Sequence, residues 1–284
     1  MFIVYDENMN IKPFPQGVTP LDIFISSINR KRVKEETEGV HGYVDKGYTY
    51  DTRNINVILR SEANDTRDYR LLRDEVFSFF SEHDYLYISE EYQRGKRYKV
   101  TAVESFIPER INRRISSVGI AIEMADLPFA ESIGTTQDIQ LKGINADDEL
   151  WGFGMGLIDN EDMVYKFVNN QSPRVFNAGN VRIHPFKQEF KLKLIAKSDS
   201  MNNGNPVSRM RIYNRTTDEY FQVDDYVKSG DVIEIDGPVV KINGLNALHK
   251  TSKDWFTLAP GFNDFTIYYL TDFELTFDFR FYYL

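Results

Sequence analysis

"VIEIDGPVVKINGLNAL", residues 232–248, sets two turn dipeptides, Asp236-Gly237 and Asn243-Gly244, inside a run otherwise rich in β-branched residues. Asp-Gly and Asn-Gly suit tight hairpin loops: glycine accepts positive φ without a Cβ clash, and Asp or Asn tolerates the left-handed region better than most residues. Two such turns in succession predict three short antiparallel strands. Between them, Val239, Val240 and Ile242 supply strand-forming bulk, and Pro238, which lacks an N–H, suits a strand start or an edge. The stretch reads as a β-meander, not a catalytic loop.

The same pattern fills the C-terminal part of the chain. From about residue 173, "FKLKLIAKS", "SRMRIYNRTTDEYFQV" and "DVIEIDGPVVKING" are short strand segments separated by closely spaced turns, as in a β-sandwich. The final "FELTFDFRFYYL" alternates most cleanly: Phe273, Leu275, Phe277, Phe279 and Phe281 face one way, and Glu274, Thr276, Asp278 and Arg280 the other. Such a strand has one buried and one polar face.

The N-terminal block is also β-rich but carries a helix. "RNINVILRSEA" places Ile55, Val57 and Leu59 on one side of a strand, and "SSVGIAIEMADLPF" does the same with Val118, Ile120, Ile122 and Met124 before Pro128. Strands are also expected at "DYLYISEE" and "RYKVTAVESF". In "DTRDYRLLRDEVFSFFSE" the period changes. Tyr69, Leu72, Val76, Phe79 and Phe80 share a helical face, with Asp65 as N-cap. Residues 131–172 hold an acidic cluster and no sustained period, and are expected to form a connector ordered by Trp151 and Phe153, with Met155, Leu157 and Val164 candidates for short strands. The expected organisation is therefore mainly β: 1–130 with one α-helix, a connector over 131–172, and a β-sandwich over 173–284.

Composition bounds the function. The 284 residues include 34 basic and 43 acidic side chains, a formal net charge of −9, which disfavours general nucleic-acid binding through phosphate neutralisation. No apolar run approaches the roughly 20 residues that cross a bilayer, and "MFIVYDENMN" lacks the basic start of a signal peptide, so a soluble protein made in a cytoplasm is expected. With zero cysteines there is no disulfide, thiolate metal site or cysteine nucleophile.

Catalytic constellations are not evident. His41, His83, His184 and His249 lie far apart without metal-ligand spacing, and neither a GxSxG elbow nor a phosphate-binding GxxxxGK[ST] loop occurs. The carboxylates of "INADDEL" and "EYQRG" could cleave glycosides only if the fold paired them, and read more simply as solvated clusters. Asp231 and Asp236 lack the oxygen-ligand spacing of a calcium loop. No catalytic residue, cofactor or metal site is expected. Trp151 and Trp255 are candidates for stacking on a sugar ring, against the plainer reading of core or rim residues. Arg67, Arg70 and Arg73 cluster in the first turns of the helix, where the macrodipole disfavours cations. They read equally as hydrated surface or as an interface to an acidic neighbouring subunit.

Taken together, "VFNAGNVRIHPF", "MRIYNRTTDEYFQV", "GDVIEIDGPVVKINGLNAL" and "WFTLAPGFNDFTI" resemble the closing domain of the siphovirus distal tail protein (Dit) family. The resemblance rests on Asn177, Gly179 and Pro185; on Asn214, Thr216 and Thr217; on Ile235 and Asp236; and on Leu258, Pro260, Gly261 and Asn263. "GYVDKGYTYDTRNINVILR" resembles the family's N-terminal glycine-marked loop and the Arg strand after it. Asp218-Glu219 departs from the Gly-Glu often seen in the family. The resemblance implies a tail-tube-like belt domain joined to a galectin-like β-sandwich. It further implies a homohexameric ring at the tail tip, with the sandwiches outward and phage DNA passing through the ring. The implied partners are the tail tube, the tail-tip lysin or fibre and, in some phages, receptor-binding proteins. The implied location is the virion, without membrane or sequence-specific nucleic-acid contacts. A negatively charged lumen would ease DNA passage.

Overall fold

The structure, a computed structural model, describes residues 1–36, 38–39, 41–102, 104–144, 150–152, 154–159 and 161–284. The chain divides into two compact units, Met1–Ala130 and Glu131–Tyr283.

In the first unit an antiparallel sheet runs in the order Phe2–Tyr5, Leu86–Glu90, Lys96–Ala102, Ile115–Met124, Asn54–Glu62, Val18–Ile25. Its two longest neighbours pair from Asn54↔Glu123 to Glu62↔Ile115. Ile55, Val57, Leu59, Val118, Ile120, Ile122 and Met124 are all buried, as period-two alternation requires when one face meets a core. The helix α1, Thr66–Ser81, begins at Asp65, whose carboxylate accepts from the N–H groups of Arg67 (2.7 Å) and Asp68 (2.9 Å). These bonds hold the Asp65 carboxyl below its usual pKa. α1 buries Leu72, Val76, Phe79 and Phe80, and Phe79 stacks on Phe14 at 4.8 Å. A separate two-stranded hairpin, Arg30–Glu35 with Val44–Tyr50, is exposed along nearly its whole length.

The second unit is a β-sandwich. One sheet runs Lys166–Val168, Phe273–Phe279, Phe190–Ala196, Val232–Asp236, Val239–Ile242, Leu245–Asn246; the other runs Arg174–Asn177, Gly261–Tyr268, Met210–Asn214, Glu219–Val223. Phenylalanines from both sheets meet between them: Phe265 lies 5.2 Å from Phe277 and 5.2 Å from Phe256, which in turn faces Phe190 at 5.8 Å. Such ring clusters combine large buried area with favourable edge-to-face geometry.

The meander forms with the three expected strands, but its first loop sits one residue later than the dipeptide suggests. Asp236 still pairs with Val239, so Gly237 and Pro238 form the loop, with Gly237 at φ 56° as in a type II′ turn. The second loop is Asn243-Gly244, both at positive φ (53° and 79°), as in type I′.

The stretch 131–172 falls within the second unit rather than standing between two units. It contains a short helix, α2 (Thr136–Lys142), closed by a capping box between Thr135 and Asp138. α2 is tied to the last long strand: Thr136 Oγ1 and Gln137 Nε2 donate to the Phe277 carbonyl at 3.0 and 2.7 Å. Among the described residues of this stretch a strand forms at Lys166–Val168, and the strand Ala130–Ser132 reaches into its start, rather than strands at Met155, Leu157 or Val164; Met155 and Tyr165 are core residues. Phe153 lies outside the described residues.

Candidate functional site

Four of the resemblance-bearing residues, Asn214, Thr216, Thr217 and Asn263, meet in one buried polar network. Asn214 donates to the Thr257 carbonyl (2.8 Å) and to Asn263 Oδ1 (3.1 Å), and accepts from Thr216 N–H (3.0 Å). Asn263 closes the loop ahead of its own strand, accepting from Ala259 N–H (2.9 Å) and donating to the Ala259 carbonyl (2.8 Å). The Glu219 carboxylate accepts from Thr257 N–H (2.7 Å) and Oγ1 (2.5 Å). Burial acts to raise the Glu219 pKa, but the bonds from Thr257 and Thr217 together with the nearby Arg182 charge outweigh it and hold the carboxyl below its usual value. Asn214 and Asn263 are wholly buried and satisfied, so the network fixes turns and offers no reactive group. Gly179 is required by a close approach, since a Cβ there would lie 2.4 Å from the Tyr282 carbonyl oxygen. Asp218 takes φ 57° and accepts from Tyr213 Oη at 2.6 Å. The departure from Gly-Glu thus keeps the left-handed turn in a residue that tolerates it.

The two tryptophans are not brought together as a sugar platform. Trp151 is 1% exposed, packed against Phe281 at 6.0 Å with its ring against Gly134, and presents no face to a ligand. The hydrophobic core of a phenylalanine-rich sandwich claims it. Trp255 is half-buried, 4.6 Å from Phe186 and 5.6 Å from Phe221, and Phe186 is 49% exposed.

His184 organises its own loop: Nδ1 accepts from Phe186 N–H at 3.1 Å, and burial lowers its pKa. Among the described residues no group of three or more His, Asp or Glu side chains is placed to hold a metal ion. The carboxylates Asp147, Asp148 and Glu149 of "INADDEL" lie outside the described residues. Asp231 accepts from Lys228 N–H and Asn243 Nδ2, both at 2.8 Å, and so serves its turn. Among the described residues no helix is long and apolar enough to cross a membrane.

The arginines expected at an interface lie on one side of α1. Arg67 and Arg70 are exposed; Arg73 is partly covered, pairs with Asp74 (2.7 Å) and lies over the Phe77 ring at 5.7 Å. Sequence reasoning missed the exposed hairpin. There Arg30 stacks on Tyr48 (5.0 Å) and Tyr50 (5.8 Å), Lys34 lies over Tyr43 (4.2 Å), and Arg32 pairs with Asp45 (2.7 Å). Val33, Tyr43, Val44 and Tyr48 are about half exposed. Strands with no buried face carry no apolar alternation; the recurring Tyr48 and Tyr50 were the available signal.

Comparison with known proteins places both units. Residues 16–124 match the family described as phage tail protein RIFT-related domain, and residues 198–281 match the siphovirus-type tail component, C-terminal domain. The crystal structure of SPP1 Dit (gp 19.1), described as a paradigm of the hub adsorption apparatus in phages infecting Gram-positive bacteria, aligns over 99% of each chain with a TM-score of 0.64 and 12% identity, a likeness of fold. The phage p2 baseplate in its activated conformation with Sr aligns over 98% of this chain and 97% of that chain at 9% identity, with a TM-score of 0.37, too loose to argue from. No curated protein matches.

Proposed function

Because this chain belongs to the siphovirus distal tail protein family, structural components of the phage tail tip, we propose that six copies close into a ring through the first unit and act as the hub of the tail tip. The ring joins the tail tube to the tail-tip lysin or fibre and to receptor-binding proteins, and DNA passes through its centre. The observation that carries this reading is the exposed face of the first unit. A two-stranded hairpin with half-exposed Val33, Tyr43, Val44 and Tyr48 has no core of its own to cover these side chains, and an isolated hairpin is marginal in water. Packing on a neighbouring copy supplies the missing contact. A closed ring needs a heterologous interface, in which two different faces of the subunit meet. The sandwich, whose motif residues are spent on internal hydrogen bonds, serves as a rigid module outside the ring, without catalysis.

Native mass measurement with electron microscopy of the purified chain tests this. Six-fold rings are the expected result; a strictly monomeric species at high concentration that also fails to join its tail-tube partner contradicts it.

A second reading rests on Trp255 beside the half-exposed Phe186: binding of host cell-wall polysaccharide at this rim. Titration followed by tryptophan fluorescence should show a response lost in Trp255→Ala, and no response to any wall polysaccharide removes this reading.

A further inference from the structure

The first unit is electrically polarised along α1. At its N-terminal end, Arg67 and Arg70 are exposed beside Leu71, which is 65% exposed. The segment 104–114 is fastened to the same side of the helix. Phe106 packs on Phe77 at 5.3 Å, Tyr69 Oη donates to the Pro108 carbonyl at 3.4 Å, and the Arg110 guanidinium lies 4.5 Å over the Tyr69 ring. This brings Arg110, Arg113 and Arg114 to the arginine-bearing end and leaves Ile107 and Ile111 88% and 67% exposed. Among the described residues, Arg67, Arg70, Arg110, Arg113 and Arg114 make no ion pair, in a chain whose net charge is −9.

The other end of α1, about 24 Å away for 16 residues at 1.5 Å each, is acidic. Its last turn has no basic residue, Glu82 is the C-cap, and Asp84 follows. The Asp84 N–H donates to Glu7 Oε1 at 3.2 Å, which sets Glu7 in the same cluster. Lys12 neutralises only Glu82 (2.7 Å), and His83 is 3.8 Å from Glu7. Beyond the capping Asp65 and the first-turn Asp68, cations thus gather at the positive end of the helix macrodipole and anions at the negative end, where each costs stability in an isolated subunit. A neighbour of opposite sign reverses that cost.

We propose that the face formed by Arg67, Arg70, Arg110 and Arg113 with Ile107 and Ile111 docks on the acidic end, Glu7, Glu82 and Asp84, of a second copy of this chain. This rests on the ring reading and names the two faces that meet. The isoleucines supply the apolar contact, and the charges set orientation and partner choice. One end of each subunit meets the other end of the next, as head-to-tail closure requires.

The test uses the full chain, with Arg70→Glu/Arg110→Glu and Glu7→Lys/Asp84→Lys as reciprocal charge reversals, read by native mass and sedimentation. Each variant alone should assemble at least about tenfold more weakly than the wild-type chain. An equimolar mixture should assemble again, because in an alternating ring every contact has opposite charges. Raising salt should weaken wild-type assembly, since exposed charge pairs are screened; this arm holds even where a variant fails to fold. If wild-type rings form but ignore both salt and the reversals, or if the mixture fails to reassemble while both variants are folded, the docking is overturned and the ring reading stands. A wild-type chain that never assembles overturns both.

Discussion

Both units carry surface ion pairs, Lys12–Glu82 and Arg32–Asp45 in the first among them, but they differ in what they leave exposed. In the sandwich, charges pair on strands and in turns: Lys193 with Glu234 (2.9 Å), Lys250 with Asp225 (2.8 Å), Arg280 with Glu189 (2.6 Å) and Lys197 with Glu274. Its buried asparagines satisfy one another and the backbone. In the first unit, five arginines beside exposed isoleucines have no acidic partner among the described residues, and a hairpin stands in solvent along nearly its whole length, with Tyr50 against Phe129 at its end. The buried asparagines Asn214 and Asn263 of the sandwich complete their interactions internally. The first unit leaves apolar side chains of its hairpin and of the 104–114 segment in solvent, the difference the proposed ring requires between an assembling element and an appendage.

Substitutions sharpen the contrast. Phe277→Ala should have the largest effect, since Phe277 joins the ring clusters of both sheets and is wholly exchanged for a cavity. The sandwich should lose about 3–5 kcal/mol in denaturant unfolding. Asn214→Ala follows, at about 2 kcal/mol, because it removes the acceptor of Thr216 N–H and one donor each from the Thr257 carbonyl and Asn263 Oδ1 in a buried site. Neither should alter assembly of folded chain, and if either dissolves a ring without unfolding the sandwich, the division of labour fails.

Glu219→Gln acts through pH. With a folded pKa below the unfolded one, the Glu219 carboxylate contributes stability above the unfolded carboxyl range, and this contribution is lost as pH falls through the folded value. The substitution should lower stability at neutral pH and flatten the acid limb of a thermal-midpoint profile. An unchanged limb would show that the Thr257 bonds do not favour the ionised form. Asp218→Gly should change least, within about 1 kcal/mol, since glycine takes the left-handed conformation freely while the bond from Tyr213 is lost. A large loss would give that side chain a role beyond the turn.

Legibility in the sequence follows burial. The strand Phe273–Phe279 and the face of α1 could be read directly, because a core imposes a period of two or of 3.6 on apolar residues. α2, with seven residues, is too short to show a period, although its Thr135-to-Asp138 capping box was present in the letters. The hairpin escaped because, apart from Tyr50 against Phe129, neither of its faces meets a core. Trp151 shows the limit for sites: sequence offers an indole, and only the fold decides whether that indole lies against Phe281 or faces a ligand. The arginines of α1 were visible as a cluster, but the packing of 104–114 that adds Arg110 and Arg113 to them depends on Phe106 meeting Phe77, a contact between residues far apart in the chain.

The central claim, that the first unit is completed by another copy of itself, is tested most directly by hydrogen exchange on the full chain across its assembly transition. Protection should rise in the Arg30–Glu35 and Val44–Tyr50 hairpin and around Ile107 and Ile111 as the mass increases, while the sandwich strands stay unchanged. Protection that appears instead on the sandwich, with the hairpin and the 104–114 segment still exchanging freely in the assembled form, would contradict it.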